Sequence, residues 1–409
     1  MTETLNPLLN KRIVLGVTGS IASYKAADLA SKLTQSGAQV DAILTAGATR
    51  FVTPLVFQSV SGRRAYTDAD LWGDQAHVLH IGLAHHADLL LIAPATANTL
   101  AKLAHGVSDN LLCVTALAAT CPLLVAPAMD GGMFSHPATQ ANIALLSARG
   151  VQFCGPEEGH LASGLSAKGR MSEPLTLLGR ARYLLARGGP LQGHKVVVTA
   201  GGTREAVDPV RFLTNRSSGK QGLALAQAAL DVGADVTLIT TSDLPAPVGV
   251  RRIDVESAQQ MLDAVLANVS DAQLLFMAAA VADFRPAQVA DQKIKKRSGI
   301  PTLALAANPD ILATVAQQRQ NFPALRVVVG FAAETQNLLD NAAAKLQSKG
   351  LSMIVANDVS AADAGFAVET NRVTLLYASG QRETLPLLSK TAVAEQVVLR
   401  AMRLLRADD

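Results

Sequence analysis

Two segments of the sequence begin with the same succession of a largely apolar run, a glycine-rich turn and a stretch that we expect to be helical. The first is RIVLGV at residues 12–17 with Gly16-x-x-Gly19-Ser20, and the second is HKVVVT at residues 194–199 with Gly201-Gly202. A continuous apolar run is typical of a strand buried on both faces, as in a parallel sheet flanked by helices. The sequence therefore predicts two α/β units, each a doubly wound, Rossmann-like sheet.

Further elements extend this alternation through both halves. In the first half we expect a helix over residues 21–35, strands over 39–44, 88–93 and 122–126, and a last helix over 174–187. In the second half we expect strands over 234–240, 273–279, 326–330 and 352–356, and a hairpin over 371–377 and 382–385 with its turn at Ser379-Gly380. The breaker-rich segment GGPLQG at 188–193 separates the halves, so we expect domains at 1–189 and 190–409.

Composition excludes several classes of protein. Hydrophobic residues make up 49% and charged residues 17% of the 409 residues, which is typical of a globular chain of two or three domains. The net charge of +3 comes without the broad basic stripe of a nucleic-acid binder. Three cysteines form neither a disulfide framework nor a CxxC metal pair, and the first residues lack the apolar core of a signal peptide. We expect a reduced, cytoplasmic protein without a structural metal.

Polar residues follow two of the expected strands in the first half. Backbone N–H groups at the Gly19-Ser20 turn would make an anion site, although glycine-rich turns also arise for steric reasons. Thr96, Asn98 and Thr99 follow the strand at 88–93, and a helix cap would explain only one of the three. Both groups belong at the carboxyl end of the sheet, where ligands bind in open α/β folds.

Other features of the first half leave alternatives open. His77, His80, His85 and His86 are all able to take a proton near neutral pH, and chemistry alone does not choose among them. The motif PAMDGGM follows a strand, and its methionines are on residue type alone more typical of core packing. Residues 162–171 are glycine-rich, and we interpret them as a weakly structured, mobile loop or lid.

Several segments of the first half occur together in a characteristic order: VTGSIASYKA, LTAGATRFV, HI followed by APATANTLAKLAHGVSDNLL, PAMDGGM, and ASG with KGRM. In these segments the chain resembles the homo-oligomeric flavin-containing cysteine decarboxylases over nearly the whole first half. The resemblance implies a flavodoxin-like flavoprotein domain that binds FMN. By matching position, it implies FMN contacts for Gly19, Ser20, Ile21, Thr45, Thr96, Ala97, Asn98, Thr99 and Ala128.

The same resemblance implies residue roles and a reaction. His80 matches the catalytic base, Asp130 and Met133 lie in the substrate-binding motif, and Ser163 occupies the position of the acid on a flexible flap. In the implied reaction the flavin oxidises a substrate thiol toward a thioaldehyde, which draws electrons while carbon dioxide leaves. The ene-thiol that results is then protonated and reduced.

Two positions depart from that family's pattern. Asp130 stands where the family usually has Asn, and Ser163 stands where its flap usually has Cys. An ionised carboxylate repels a substrate carboxylate to which an amide would donate, and a serine hydroxyl is much less acidic than a thiol. Either water or Cys154 supplies the proton, or the decarboxylase half is altered.

The second half carries a different set of polar motifs. Asn215-Arg-Ser-Ser-Gly-Lys220 at an expected helix start would cradle phosphate, and it lacks the spacing of a Walker motif. Asp283 follows a strand of small residues and could hold a ribose hydroxyl or a metal ion. Lys293 begins a basic segment, KIKKRSG, that would meet a triphosphate or be a solvated surface run. We expect helices to begin at 308–311 and at 330–335, with Lys345 and Lys349 on one helical face.

The motifs GGTREAVDPVRFLTNRSSGKQG, AAAVADFRP, KIKK, NPDIL, GFAAET and ANDV occur in order in this half. Here the chain resembles phosphopantothenate–cysteine ligase, and as a whole it resembles the bacterial bifunctional coenzyme A biosynthesis proteins. The resemblance implies that Asn215 faces an acyl-cytidylate formed from CTP, with Mg²⁺ neutralising charge. It implies CTP contacts for Asp283, Lys293, Asn308, Pro309, Asp310, Ile311, Phe331, Lys345 and Lys349.

Four functional hypotheses remain from the sequence. The first is a bifunctional enzyme whose substrates are 4′-phosphopantothenate, cysteine and CTP, and whose product passes to an FMN-dependent decarboxylase. The second, prompted by Asp130 and Ser163, is an active ligase fused to a flavoprotein half that binds FMN without decarboxylating. A decarboxylase for another cysteine-terminated substrate and a non-enzymatic flavoprotein regulator are the others. The family also implies a homo-oligomer, with trimer-based N-terminal assemblies and C-terminal dimers, and no nucleic-acid or membrane partner.

Overall fold

The structure is a computed structural model that describes residues 5–72, 76–295, 302–334, 337–358 and 369–407. The chain divides into two compact units, one formed by Asn6–Ala186 and the other mainly by Arg187–Asp409. Within the described ranges, no helix is both long enough and apolar enough to cross a lipid bilayer.

The first unit is built around a parallel sheet. Its strands are β1 Arg12–Val17, β2 Gln39–Leu44, β3 Ala65–Thr67, β4 Leu89–Ala95, β5 Leu123–Pro127, β6 Gln152–Phe153, β7 Glu157–His160 and β8 Ser166–Arg170. Its helices are α1 Ser23–Gln35, α2 Pro54–Ser61, α3 Ala76–His85, α4 Ala97–His105, α5 Leu111–Ala118, α6 Gly131–Ser135, α7 Pro137–Ala148 and α8 Pro174–Ala186. Six strands lie in the order β3-β2-β1-β4-β5-β6, and the hydrogen-bonded neighbours are parallel.

The apolar run of β1 is continuous because both faces of this sheet are covered. Successive side chains of a strand point to opposite faces. Leu15 belongs to the core cluster that includes residues of α1 and α8, whereas Val14 belongs to the cluster on the other face, which includes residues of α4 and α5. The predicted doubly wound fold of this half is confirmed.

Residues 162–171 are more ordered than we expected. Strands β7 and β8 pair as an antiparallel hairpin, and the amide N–H of Leu161 donates to the carbonyl of Leu165 at its turn. The amide N–H of Met129 donates to the carbonyl of Gly169 over 3.0 Å. A Cβ at Gly169 would lie 2.2 Å from the carbonyl oxygen of Met129, so only glycine allows the two backbones to approach this closely. The interpretation as a weakly structured loop was therefore wrong for Ser166–Arg170, which form β8, whereas residues 162–165 form the turn of the hairpin.

The second unit repeats the doubly wound plan with a larger sheet. Its strands are β9 Lys195–Ala200, β10 Arg204–Ala206, β11 Phe212–Thr214, β12 Asp235–Thr240, β13 Arg251–Asp254, β14 Leu274–Met277, β15 Phe284–Pro286, β16 Leu305–Ala307, β17 Val327–Glu334, β18 Met353–Asp358, β19 Thr370–Asn371, β20 Val373–Tyr377, β21 Arg382–Thr384 and β22 Leu388–Ser389. Its helices are α9 Lys220–Asp231, α10 Ala258–Asn268, α11 Ile311–Gln317, α12 Leu338–Ser348 and α13 Lys390–Ala407. The main sheet has the order β13-β12-β9-β14-β17-β18-β20-β21.

This part of the sheet contains the expected hairpin, and it also contradicts one of the expected helix starts. Strands β20 and β21 are antiparallel, and Gly380 has the left-handed φ of +84° that their turn requires. The segment that begins at Gly330 does not start a helix. It continues β17 as far as Glu334, because Phe331 to Glu334 pair in parallel with β18, and α12 begins only at Leu338.

Candidate functional sites

The loops at the carboxyl edge of the first sheet meet between β1 and β4. The chain runs outward from β1 to β2 on one side and from β4 to β5 on the other, so this is the topological switch point where open α/β sheets bind ligands. The hydroxyl of Thr18 donates to the carbonyl of Pro94 over 2.8 Å and accepts from the amide N–H of Thr96 over 3.1 Å. These bonds bring the Gly19-Ser20 turn close to the Thr96–Thr99 segment.

Thr96 caps α4, and its hydroxyl lies 3.2 Å from that of Thr99 and accepts from the Thr99 amide. Ala97 opens the helix, while Asn98 is exposed. Capping therefore accounts for the two threonines together, which is more than we expected from a cap. Asn98 remains available to a ligand.

The remaining residues for which FMN contacts were implied lie at the same edge. Thr45 follows β2 and donates its amide N–H to Val17 over 3.1 Å. Ala128 follows β5, is buried, and donates to Ala95 over 3.0 Å. Ile21 is 60% exposed beside the turn. Backbone N–H groups, hydroxyls and apolar surface together fit a flat heteroaromatic ring that carries a phosphate.

The two residues that depart from the decarboxylase pattern are bonded to each other. Ser163 donates its hydroxyl to Oδ2 of Asp130 over 2.7 Å, and Oδ1 of Asp130 accepts from the amide of Gly132 over 2.9 Å. The hydrogen bond from Ser163, with that from the Gly132 backbone, lowers the pKa of Asp130 below its usual range. Met133 is half exposed on α6, the short helix that Asp130 caps.

Cys154 is a poor substitute for the missing flap thiol. It is buried in the core cluster that contains Leu177, and its amide is bonded to Val125. Burial raises the pKa of its thiol, against a smaller opposing effect of the hydrogen bond with Ser172. A proton from Cys154, one of the two sources expected from the sequence, is therefore disfavoured.

His80 stands out among the histidines of α3. Its Nδ1 is buried and has no hydrogen-bond partner within the described residues, whereas Nδ1 of His86 bonds to the carbonyl of Gly82. The side chain of His77 lies outside what the structure describes. Helix α3 packs against α5 and the 3-10 helix Asp68–Trp72. A buried imidazole nitrogen without a partner is unusual in a folded protein, and it distinguishes His80 from the other described histidines of this segment.

The second unit has a cavity of about 710 Å³ along the carboxyl ends of β14, β17 and β18. Strand β9 lies where the chain direction across the sheet reverses, so this site also lies at a switch point. Its lining gathers most of the residues for which ligase roles were implied: Asn215, Asp283, Asn308, Pro309, Asp310, Ile311, Phe331 and Lys345. Residues 216–221, at the start of α9, also line it.

Two asparagine side chains are fixed by hydrogen bonds to the backbone of the same loop. Asn215 donates its Nδ2 to the carbonyls of Ala280 and Val281, each over 3.2 Å. Asn308 donates its Nδ2 to the carbonyl of Ala282 over 2.8 Å. Because each amide nitrogen is held by the backbone, each side chain has a fixed orientation at the cavity wall.

Lys349 does not line the cavity itself but contacts Asp310, which does. It forms an ion pair with Asp310, which also caps α11 by accepting from Ala313 over 2.9 Å. Burial raises the pKa of Asp310, but the bonds from Lys349 and Ala313 outweigh it, and the net pKa is lowered. Lys345, one helical turn earlier, lines the cavity.

Lys293 is exposed and does not line the cavity. The next residue, Ile294, donates its amide to Oδ2 of Asp208 over 3.1 Å, and Arg211 donates to the carbonyl of Ile294 over 2.7 Å. Asp208 has a fully buried carboxylate. Burial raises its pKa, but the hydrogen bonds from Arg211 and three backbone amides hold that pKa far below its usual range. Arg297–Gly299 lies outside the described residues.

Sequence reasoning missed several residues of this site. In the sequence, Asp208 is only one residue of a longer motif. It anchors the basic segment that begins at Lys293 through a contact with residue 294, which the sequence does not reveal. Asn371 and Lys390 also line the cavity although they belong to no recognised motif, and Asn357 lines it from the ANDV motif, to which no role was given. Within the described ranges, no group of three or more His, Cys, Asp or Glu side chains is arranged to hold a metal ion.

Comparison with known proteins connects the two sites. Residues 1–180 match the Flavoprotein family, and residues 191–404 match the family described as the DNA/pantothenate metabolism flavoprotein C-terminal domain. The coenzyme A biosynthesis bifunctional protein CoaBC of Vibrio vulnificus (strain YJ016) is 44% identical over 98% of this chain and 100% of its own length. That of Bacillus subtilis (strain 168) is 45% identical over 96% of each chain.

A solved C-terminal domain of a CoaBC protein is 38% identical over 54% of this chain and 98% of its own length, with a TM-score of 0.45. The whole-chain relatives confirm the expected family and a bifunctional role in coenzyme A biosynthesis, with ligase and decarboxylase activities. None of these matches favours a flavoprotein half that has lost its activity. Because they align over nearly the whole chain, the protein belongs to the family of bifunctional coenzyme A biosynthesis proteins, CoaBC.

Proposed function

We propose that residues 190–409 join cysteine to 4′-phosphopantothenate with CTP, and that residues 1–189 decarboxylate the product with FMN. The observation that carries the ligase proposal is the shared cavity, in which Asn215, Asp283, residues 308–311 and Lys345 surround the start of α9. Its volume of about 710 Å³ is within the range of sites that hold a whole nucleotide.

In the ligase reaction, the substrate carboxylate oxygen attacks the α-phosphorus of CTP, and the bond to the β-phosphate breaks to release pyrophosphate. The amine of cysteine then attacks the acyl carbon, a C–N bond forms, the C–O bond to CMP breaks, and the amine gives up its protons to solvent. The backbone amides at the start of α9 and Lys345 would stabilise phosphate charge. Asn215, held by Ala280 and Val281, would present its Oδ1 to the acyl intermediate.

We assign the nucleoside to the wall formed by residues 308–311 and Phe331, with Lys349 acting through Asp310. Asp283 is an exposed carboxylate in the cavity and fits a ribose hydroxyl or Mg²⁺, since that ion prefers oxygen ligands and substrate phosphates. Magnesium there would offset charge on the phosphates. We assign Lys293 to a basic segment that reaches CTP from the anchor at Asp208.

For the decarboxylase, the switch-point edge of the first sheet fits FMN, with the phosphate at the Gly19-Ser20 turn and the ring along Thr45, Thr96–Thr99 and Ala128. When bound, FMN would take two electrons from the substrate thiol and return them after carbon dioxide has left. His80 would accept the thiol proton at its unpartnered Nδ1.

The substrate carboxylate would approach Asp130 and Met133 beneath the β7–β8 hairpin. Because Ser163 already donates to Asp130, and because a hydroxyl is a weak acid, a water molecule is the better source of the final proton. We further propose a cytoplasmic homo-oligomer.

The test is to incubate the purified protein with CTP, Mg²⁺, 4′-phosphopantothenate and cysteine, and to identify the products by mass. Formation of 4′-phosphopantetheine would support both activities. Accumulation of 4′-phosphopantothenoylcysteine would support the ligase and contradict the decarboxylase. If folded, flavin-loaded protein gave neither product, the proposal would be wrong.

A further inference from the structure

The first unit contains a further cavity, of about 480 Å³, between α3 and the sheet. Arg12, which begins β1, lines this cavity, whereas the turn assigned to FMN follows the opposite end of the same strand, after Val17. The five residues of extended chain between these two ends span about 17 Å. The cavity is therefore separate from the FMN site.

The register of the strands places one wall of the cavity. Arg12 and Val14 are two residues apart on β1, so their side chains point to the same face of the sheet. Val14 pairs with Asp41 on β2, and Ile43, two residues further along β2, pairs with Tyr66 on β3. Arg12, Val14, Asp41 and Tyr66 all line the cavity, so this wall is formed by three neighbouring strands.

One face of α3 and the residue that follows it form the other wall. Leu79 and Leu83 lie four residues apart, as do Gly82 and His86, so the four positions share a helical face. A Cβ at Gly82 would meet nothing within 4 Å. Glycine destabilises the interior of a helix relative to alanine, and here its missing side chain leaves part of the cavity open.

The charged groups around the cavity leave one positive charge unmatched. Asp41 is 8% exposed and receives two hydrogen bonds from Arg63, over 2.8 and 2.9 Å, so these two charges offset each other. The guanidinium of Arg12 forms no hydrogen bond or ion pair with the described residues, although its backbone N–H donates to Asp88. Asp88 is already paired with Lys11 over 2.9 Å. A guanidinium without a partner at the edge of a cavity favours an anion.

The same features select the kind of anion. A guanidinium presents parallel N–H donors that match the two oxygens of a carboxylate. A carboxylate also balances one positive charge, whereas a phosphate dianion would leave excess negative charge near Asp41 and Asp88. Val14, Leu79 and Leu83 make the rest of the surface largely apolar. The volume of about 480 Å³ is within the range of small-molecule sites.

We propose that this cavity binds a small amphipathic carboxylate, with the carboxylate on Arg12 and an apolar chain or ring against Val14 and Leu83. The assignment does not rest on the proposed reactions, since none of these residues has a role in either. A ligand in the cavity would touch α3, the helix that also carries His80.

The test uses 4-phenylbutyrate as the probe, because it joins a carboxylate to an apolar ring. Calorimetry measures its binding to the FMN-loaded, full-length protein with and without CTP. We expect one probe per chain, and about tenfold weaker binding both of the uncharged 4-phenylbutanamide and of the probe to Arg12→Gln. Arg50→Gln, at an exposed arginine of the same unit outside the lining of the cavity, is the matched control and should bind as the wild type does.

Gly82→Leu tests the location. The leucine would fill the open space and is the better helix former, so the probe should no longer bind while the thermal midpoint of the protein does not fall. If G82L were less stable, the comparison of R12Q with R50Q would decide alone. Failure of the wild type to bind the probe would overturn the proposal, as would equal binding of acid and amide or unchanged binding in R12Q. Displacement of the probe by CTP, or of FMN by the probe, would place it elsewhere and would also overturn the proposal.

Discussion

Ser163 donates its hydroxyl hydrogen to Asp130 over 2.7 Å, so the two positions at which this chain departs from the decarboxylase pattern are in direct contact. An amide and a thiol at the same places would make a much weaker pair, because a charged acceptor strengthens a hydrogen bond. The two departures are therefore coupled in this structure, where they bond the hairpin turn to the cap of α6.

Asp130→Asn should improve binding of the carboxylated substrate. The change keeps the size of the side chain and removes a negative charge, so the KM of decarboxylation should fall by about fivefold. Steady-state decarboxylation of 4′-phosphopantothenoylcysteine measures this effect. Asp109→Asn, at an aspartate of the same unit paired with Lys102, should leave the KM unchanged. A higher KM in D130N would show that the carboxylate aids binding.

Gly169→Ala should disrupt the hairpin. The added Cβ would lie 2.2 Å from the carbonyl oxygen of Met129, and relief of that overlap should cost the first unit about 1–3 kcal/mol of stability. Denaturant unfolding followed by flavin fluorescence measures the loss. Gly82→Ala, whose Cβ would meet nothing within 4 Å, is the control. Equal stability of the two variants would contradict the close packing.

Asn215→Ala should stop the ligase at its first intermediate. Without the amide, whose Nδ2 is held by Ala280 and Val281, we expect acyl-cytidylate turnover to fall by about 100-fold. Single-turnover release of CMP gives the rate. Asn268→Ala, outside the lining of the cavity, should keep the wild-type rate. Unchanged turnover in N215A would remove Asn215 from the mechanism.

Asp208→Asn should weaken CTP binding at a distance. The neutral side chain would lose the charge-assisted bonds from Arg211 and the backbone of Ile294, so Lys293 would be less well positioned. We expect the KM for CTP to rise by about tenfold, and the double variant with Lys293→Ala to be little worse than either single one. Additive losses would mean that the two residues act independently.

The phenol of Tyr377 should lose its proton at a higher pH than an ordinary tyrosine. Burial and its hydrogen bond to Glu383 over 3.0 Å raise its pKa to about 12. Because the folded pKa is raised, the stabilising contribution is complete below the ordinary value of 10.0 and is lost as the pH rises through about 12. Phenolate absorbance should show this step in the wild type and not in Tyr377→Phe. A step near pH 10 in its place would refute the buried bond.

The strands were largely predictable from the sequence, because burial on both faces leaves a continuous apolar run. Strands β1 and β2 have the predicted bounds, and β4 and β5 differ from them by one or two residues at each end. The error at Gly330 arose because the carboxyl end of β17 is made of small and mixed residues without a strand pattern, and its pairing with β18 is a tertiary effect.

The candidate sites were predictable only where short motifs carry them. The cavity lining includes Asn215 and residues 308–311, as the resemblance implied. Asn371 and Lys390 could not be found in this way, because pairing of the short strands β19 and β22 brings them to the cavity. The bond between Ser163 and Asp130 joins residues 33 apart in sequence, which no local pattern encodes.

The contact of Gly169 with Met129 bears on the entropy of substrate binding. The strands of the hairpin are paired and joined to the loop after β5, and backbone hydrogen bonds close its turn, so the segment has its shape before a substrate arrives. Fixing the backbone of one residue costs about 1–2 kcal/mol, so a preformed base spares a large conformational penalty on each catalytic cycle. The hairpin is therefore a preformed part of the site. Less of the free energy of substrate binding is lost to ordering the enzyme.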